Sequence, residues 1–200
     1  EVVLVEDRFS DYFLHLKKIS FLGLLYKRFI SSTFIFLSSR RFGYKMLEVG
    51  SGVGSGMLGA HPKYVVGVEI NPISVQYSLS KGLKSFLVDE GGGFPFSDNV
   101  FDVCILDNVL EHILDPFEIL NECWRVTAKD GGLVVSVPGL KGYDSDADHK
   151  IFYDQSNLRN IHPRWDFQYM YALPSGFLSG KLSRWVRQYC VVAVYKKVAA

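Results

Sequence analysis

Residues 46–56 read MLEVGSGVGSG, a short apolar run that leads into a loop in which every second residue is glycine. Because glycine has no Cβ, the backbone can turn sharply there and a ligand can lie against the main chain. An apolar strand followed by such a loop and then by a helix is typical of the nucleotide-binding corner of an open α/β sheet. This stretch therefore predicts both the fold class and the place of a ligand site.

The spacing of the glycines argues against two common nucleotide motifs. A dinucleotide fingerprint requires glycine or alanine three residues after its second glycine, and counting from Gly50 and Gly52 that position is Ser55. A phosphate-binding P-loop ends in Gly-Lys-Ser/Thr, which is absent here. A flexible glycine-rich hairpin without a ligand is the remaining alternative. The glycines instead occupy alternate positions after an acidic residue: Glu48, then Gly50, Gly52, Gly54 and Gly56.

Short apolar runs alternate with helix-like stretches along the chain, which favours a parallel sheet with helices on both faces. The predicted strands are residues 45–49, 64–69, 85–88, 101–106, 133–137, 167–171 and 189–196. Helices are predicted after the first strand to about residue 59, from Asn71-Pro72 to about 81, from Asp115-Pro116 to about 126, and over 154–161 and 180–186. A turn is predicted at 129–132, and loops at 90–99 and 141–150.

Polar side chains follow the second, third and fourth predicted strands, at the sheet edge where α/β proteins bind ligands. Glu69 can accept hydrogen bonds from both hydroxyls of a ribose, and Asp89 from an exocyclic adenine amine, with Glu90 or the Gly91 backbone as alternatives. Acceptors that could hold an amino-acid ammonium follow the fourth strand. The predicted cofactor contacts are Glu48, Gly50, Ser51, Gly52, Gly54, Glu69, Ile70, Asn71, Asp89, Glu90, Asp107 and Asn108.

The acid and the alternating glycines resemble motif I of the class I S-adenosylmethionine-dependent methyltransferases. The resemblance continues at residues 88–89, 94–102 (FPFSDNVFD), 108–116 (NVLEHILDP) and 131–138 (GGLVVSVP). These segments look like consecutive motifs of the small-molecule branch, which includes quinone-biosynthesis and glycan-modifying enzymes. The resemblance implies S-adenosylmethionine as cofactor and a Rossmann-like seven-stranded, mostly parallel sheet with a reversed last strand. The triple glycine at 91–93 departs from the pattern at the adenine contact.

The predicted acceptor is a small molecule or a glycan, methylated at oxygen. Enzymes that methylate base amines in DNA and RNA carry an Asn/Asp-Pro-Pro-aromatic turn after the fourth strand, and residues 107–110 read DNVL instead. With a net charge of +1, nothing points to a nucleic-acid partner. His149, and second to it His112, could remove a hydroxyl proton. The alternatives are a surface role for His149 and a capping or packing role for His112.

Length and composition predict a single domain, with residues 1–44 as a helical cap and 45–200 as the methyltransferase domain. Three scattered cysteines indicate core thiols of a reduced cytoplasmic protein, and no metal site is predicted. Lys27 and Arg28 interrupt the apolar run 19–37, which excludes a spanning helix; contact with a lipid surface is an alternative to packing on the sheet. The oligomeric state stays open. The rival functions are an NAD-dependent oxidoreductase and a catalytically silent S-adenosylmethionine-binding scaffold.

Overall fold

The computed structural model describes residues 9, 10, 13, 14 and 21–199. Its centre is a seven-stranded sheet of order β3-β2-β1-β4-β5-β7-β6. The strands are β1 Met46–Val49, β2 Val65–Glu69, β3 Ser85–Leu87, β4 Phe101–Asp107, β5 Thr127–Pro138, β6 Trp165–Leu173 and β7 Cys190–Lys197. Strands β1 to β5 pair in parallel, whereas β7 lies antiparallel between β5 and β6. The predicted mostly parallel sheet with a reversed last strand is confirmed.

Helices cover both faces of this sheet. They are α1 Phe21–Leu25 and α2 Ser32–Ser39, which are joined by a π-helical turn Tyr26–Ser31, then α3 Met57–Ala60, α4 Pro72–Ser80, α5 Phe117–Val126, α6 Leu140–Tyr143, α7 Gln155–Arg159 and α8 Gly180–Trp185, with a 3₁₀ turn Leu110–His112. Asn71 caps α4 by accepting from the amides of Ile73 and Ser74 at 3.0 and 3.2 Å. The helix starts predicted at Asn71-Pro72 and Asp115-Pro116 agree with α4 and α5, because proline needs no hydrogen bond in a first turn.

Side chains along the central strands point alternately to the two faces of the sheet, so the hydrophobic core has two layers. Met46 packs on one face with Ile35 of α2 and Met57 of α3, all fully buried. Leu47 packs on the other face with Leu120 of α5. Because successive side chains of a strand point to opposite faces, a four-residue strand that is buried throughout joins both layers. The carboxyl end of β1 is therefore supported by buried side chains on both faces of the sheet.

The main error of the sequence prediction concerns residues 129–132. A turn was predicted there, and a strand only from residue 133, but β5 is continuous from Thr127. Phe101 of β4 pairs with Thr127, and Val103 pairs with Gly132, so the two strands lose register between these pairs. Residues 129–132 instead belong to a β-bulge. In a bulge, one strand of a pair contains extra residues and the pairing continues beyond them.

The N-terminal region is described only in part. The predicted cap 1–44 includes residues 1–8, 11–12 and 15–20, which lie outside the described residues. Within the described part, α2 packs on the sheet through Ile35, and no helix combines the length and apolar character needed to cross a bilayer. The division of the chain at residue 44 stays a prediction.

Candidate cofactor and acceptor site

The loop after β1 is built from glycines in a left-handed conformation. Gly50, Gly52 and Gly54 have φ angles of 69°, 51° and 69°, a region that residues with a side chain enter only with strain. The amides of Gly50 and Ser51 both donate to the carbonyl of Val68 in β2, at 2.9 and 3.1 Å. The loop is thus tied to the neighbouring strand at the carboxyl edge of the sheet.

Glu48 supports this loop from beneath. It is 3% exposed, and its two carboxylate oxygens accept from the amides of Met57 and Leu58 at 3.0 and 2.7 Å. Burial raises the pKa of Glu48 to about 7, although these amide bonds and Lys27 oppose the shift. The structure therefore places Glu48 as a cap on the first turn of α3, whereas the sequence predicted a direct cofactor contact.

Ser51 is likewise turned into the protein. Its side chain is 4% exposed, and its hydroxyl lies 3.4 Å from that of Ser85 in β3. A Cβ added to Gly67 of β2 would be 2.4 Å from the Ser51 hydroxyl, so the two strands close over this side chain. Any contact of Ser51 with a ligand must be made by its backbone.

Glu69 joins the end of β2 to the glycine loop. One carboxylate oxygen accepts from the amide of Gly52 at 2.7 Å, and the other accepts from the amide of Asn71 at 2.9 Å. Burial raises the pKa of Glu69, while these amide bonds counteract the shift. A carboxylate offers about four lone-pair positions, so Glu69 keeps acceptor capacity for a hydroxyl of a ribose.

The two predicted neighbours of Glu69 have different surroundings. Ile70 is 37% exposed at the edge of the sheet. Asn71 is fully buried, and besides capping α4 it donates to the carbonyl of Phe9 at 2.9 Å. The structure thus gives Asn71 a structural role, while Ile70 stays a predicted apolar contact for a ligand.

Asp89 and Glu90 follow the end of β3 and are exposed. Strand β3 ends at Leu87, one residue before the predicted end. The amide of Gly92 donates to the carbonyl of Asp89 at 3.0 Å, so the chain turns here. The triple glycine forms part of this turn, and the predicted adenine contact of Asp89 or Glu90 stays a prediction.

Asp107 ends β4 with a buried oxygen that lacks a hydrogen-bond partner among the residues that the structure describes. Its Oδ1 accepts from the side-chain amide of Asn108 at 2.9 Å, and Oδ2 is the unpartnered atom. Asn108 has a left-handed φ of 57°, which turns the chain sharply at the sheet edge. A Cβ added to Gly50 would lie 2.7 Å from the next side chain, Val109. The end of β4 therefore lies against the glycine loop.

Lys27, from the π-helical turn, is a site residue that the sequence prediction missed. Its ammonium lies 3.8 Å from Oδ2 of Asp107, and its side chain also approaches Gly56. Burial lowers the pKa of Lys27, but nearby acidic groups, Asp107 and Glu48 foremost, together raise it by more, so the net shift is upward. The only signal in the sequence was a basic pair within an apolar run.

Replacing Lys27 by methionine is expected to lower the free energy of unfolding by about 1–3 kcal/mol, because the buried Asp107 carboxylate loses its nearby cation. The measurement is chemical denaturation monitored by circular dichroism. Arg28→Met is the matched control, since it removes an exposed cation of the same turn and should change stability by less than about 0.5 kcal/mol. Equal stability of the two variants would contradict the role of Lys27.

The two predicted catalytic histidines lie together, beyond the carboxyl ends of β4 and β5. The rings of His112 and His149 are 4.7 Å apart between centroids, although the residues come from the segment after β4 and the loop after β5. Nε2 of His149 lies 3.9 Å from Oε1 of Glu111, which sequence reasoning did not select. Burial raises the pKa of Glu111 to about 8, and Asp107 adds to the shift.

The ordered glycine loop after β1, the buried acids at the ends of β2 and β4 and the sheet order define an α/β domain of the class I methyltransferase type. Residues 47–135 match the family model described as a methyltransferase domain. An uncharacterised methyltransferase of Mycobacterium leprae is 37% identical over 99 residues, which are 46% of this chain and 36% of that protein. An uncharacterised protein of Methanocaldococcus jannaschii is 26% identical over 117 residues, 56% of each chain.

Solved structures share the fold at low sequence identity. One comes from the complex between the Haloferax volcanii Trm112 methyltransferase activator and a protein assigned as a methyltransferase, with a TM-score of 0.75, 14% identity and 98% coverage of both chains. Another is geranyl diphosphate C-methyltransferase of Streptomyces coelicolor bound to S-adenosylhomocysteine, with a TM-score of 0.66, 14% identity and coverage of 84% of this chain and 80% of that one. The match over residues 47–135 and the shared fold indicate a methyltransferase domain in this part of the chain. Its matched part spans about a third of the Mycobacterium leprae relative.

Proposed function

We propose that the protein transfers a methyl group from S-adenosylmethionine to an oxygen of a small molecule or glycan. Support comes from three parts of one sheet edge, namely the left-handed glycine loop, Glu69 and Asp107. In α/β proteins, ligands bind outside the carboxyl ends of the strands. The proposal concerns the activity and the acceptor, whereas the class of the domain rests on the comparisons above.

This proposal depends on Oδ2 of Asp107, which has no hydrogen-bond partner in the described part of the chain. The side chain of Asp107 is 1% exposed, and a buried acceptor without a partner costs free energy. Lys27 supplies a positive charge 3.8 Å from this oxygen, and the ammonium of an amino-acid moiety would add the missing hydrogen bond. Together with the remaining acceptor capacity of Glu69, the site offers acceptors for both ends of a nucleoside that carries an amino acid, and the residues present fit S-adenosylmethionine.

The role of the protein in the transfer is chiefly alignment. When bound, S-adenosylmethionine supplies an electrophilic methyl group. Holding two reactants in line can contribute on the order of 7–11 kcal/mol of the barrier reduction. The glycine loop, Glu69 and Asp107 would hold the cofactor, and the segment around His112 and His149 would face the acceptor. A hydroxyl acceptor must also lose a proton, and polar groups at this edge could assist that step.

Titration calorimetry with S-adenosylhomocysteine and, separately, with NADH tests the cofactor. We expect one site for S-adenosylhomocysteine and none for NADH. At 100 times its dissociation constant, the ligand should raise the free energy of unfolding by about 2.7 kcal/mol. Binding of NADH without binding of S-adenosylhomocysteine would overturn the proposal in favour of an oxidoreductase. Binding of S-adenosylhomocysteine without methyl transfer to any acceptor in cell extract would favour a scaffold protein.

A further inference from the structure

Glu111 has a buried carboxylate that lies near His149 but has no hydrogen-bond partner among the described residues. The residue is 1% exposed. Its backbone carbonyl accepts from the amides of Lys150 and Ile151 at 2.7 and 3.1 Å. Such a group is expensive to bury unless something binds it. The backbone bonds bring the loop after β5 to this carboxylate.

Two histidines complete a cluster around Glu111. Glu111, His112 and His149 each offer one ligand atom, and these atoms all lie within 4.8 Å of one another. Zinc binds nitrogen and oxygen at about 2.0–2.2 Å in tetrahedral geometry, so two ligand atoms of one ion lie roughly 3.3–3.6 Å apart. Oε1 of Glu111 and Nε2 of His149 are 3.9 Å apart, which exceeds that range by a few tenths of an ångström. Closing the set requires only small side-chain movements.

Both imidazole rings are held in the orientation that metal ligands use. Nδ1 of His149 lies 2.8 Å from the carbonyl of Tyr143, and Nδ1 of His112 lies 3.3 Å from the carbonyl of Asp148. A carbonyl can only accept, so each Nδ1 carries the proton and each Nε2 keeps its lone pair. Metal-bound histidines commonly donate their second ring nitrogen to a carbonyl or carboxylate in this way.

We propose that Glu111, His112 and His149 form a binding site for a divalent transition-metal ion such as zinc. Two imidazoles and one carboxylate suit such ions better than magnesium or calcium, which prefer oxygen ligands. Three protein ligands leave a coordination position open for a water or substrate atom. The site departs from the sequence analysis, which predicted no metal and treated the two histidines as separate bases.

The role of the ion rests on the proposed function. The open position would take the acceptor oxygen, because the cluster lies next to the end of β4, where Asp107 is placed for the cofactor. Coordination lowers the pKa of a bound hydroxyl group, so its proton passes to solvent. The oxygen–methyl bond then forms as the sulfonium–methyl bond breaks, and S-adenosylhomocysteine leaves uncharged at sulfur. The histidines act as ligands rather than as bases.

Titration of chelator-treated protein with Co²⁺, followed by visible absorption, tests the site directly, and Zn²⁺ should displace the signal. We expect one equivalent of Co²⁺ in a site with nitrogen ligands. Glu111→Gln and His149→Ala should each weaken binding by more than about 100-fold, since loss of an outer-shell partner alone typically costs 10–100-fold. Circular dichroism confirms folding. His61→Gln is the control, because His61 stacks on Phe36 at 4.0 Å at the opposite edge of the sheet.

The outcomes separate this site from the proposed function. Folded wild-type protein that binds no Co²⁺ or Zn²⁺, while it binds S-adenosylhomocysteine, would overturn the metal site and leave the methyltransferase proposal standing. Stoichiometric metal binding without S-adenosylhomocysteine binding would support the metal site and overturn the methyltransferase proposal. Equal loss of affinity in His61→Gln and Glu111→Gln would also overturn the assignment, since it would mean that the ion binds elsewhere.

Discussion

Gly52→Val should abolish measurable binding of S-adenosylhomocysteine, with a loss of affinity above about 100-fold, which corresponds to ~2.8 kcal/mol. Gly52 lies in the centre of the loop with a φ of 51°, and its amide donates to Glu69 at 2.7 Å. A left-handed conformation costs a residue with a Cβ roughly 1–2 kcal/mol. A branched side chain would also occupy the surface against which the ligand lies. Titration calorimetry measures the effect.

Gly82→Val is the matched control for this change. Gly82 also has a left-handed φ, of 75°, but a Cβ there would meet nothing within 4 Å. Both variants should therefore lose stability through backbone strain, and only Gly52→Val should lose the ligand. A folded Gly52→Val protein with unchanged affinity would show that the cofactor does not lie on this loop.

Glu69→Ala is expected to weaken binding of S-adenosylhomocysteine by about 10- to 100-fold. Hydrogen bonds to a charged group contribute about 1.5–3 kcal/mol each, and the variant removes the predicted acceptor for the ribose hydroxyls. It also leaves the amides of Gly52 and Asn71 without their partner, so the loop loses a fixed position. Calorimetry gives the affinity, and thermal denaturation gives the accompanying loss of stability.

Glu118→Gln controls for the removal of one negative charge, because Glu118 is exposed in the first turn of α5. Its affinity for S-adenosylhomocysteine should equal that of the wild type. An analogue of S-adenosylhomocysteine that lacks the ribose hydroxyls provides a second comparison. If Glu69 binds those hydroxyls, Glu69→Ala should discriminate less between the two ligands, and an undiminished preference would count against the assignment.

The fold could be predicted because its signals are local. The apolar run of β1, the glycines at alternate positions and the Asn-Pro cap of α4 each act over a few residues. Strand ends that carry acids could be assigned to one edge, since parallel strands bring their carboxyl ends together. The turn predicted at residues 129–132 was wrong because glycines are compatible with either a turn or a bulge. Pairing with β4 selects the bulge.

The sequence by itself determined the class of fold and the edge of the sheet at which a nucleotide-type ligand would bind. The tertiary structure decided which polar side chains remain available there. Glu48 and Asn71 are engaged by helix amides, while Lys27 reaches Asp107 from 80 residues away and Glu111 meets His149. Such pairings depend on long-range packing and on which buried groups lack partners, and neither property is encoded within a local motif.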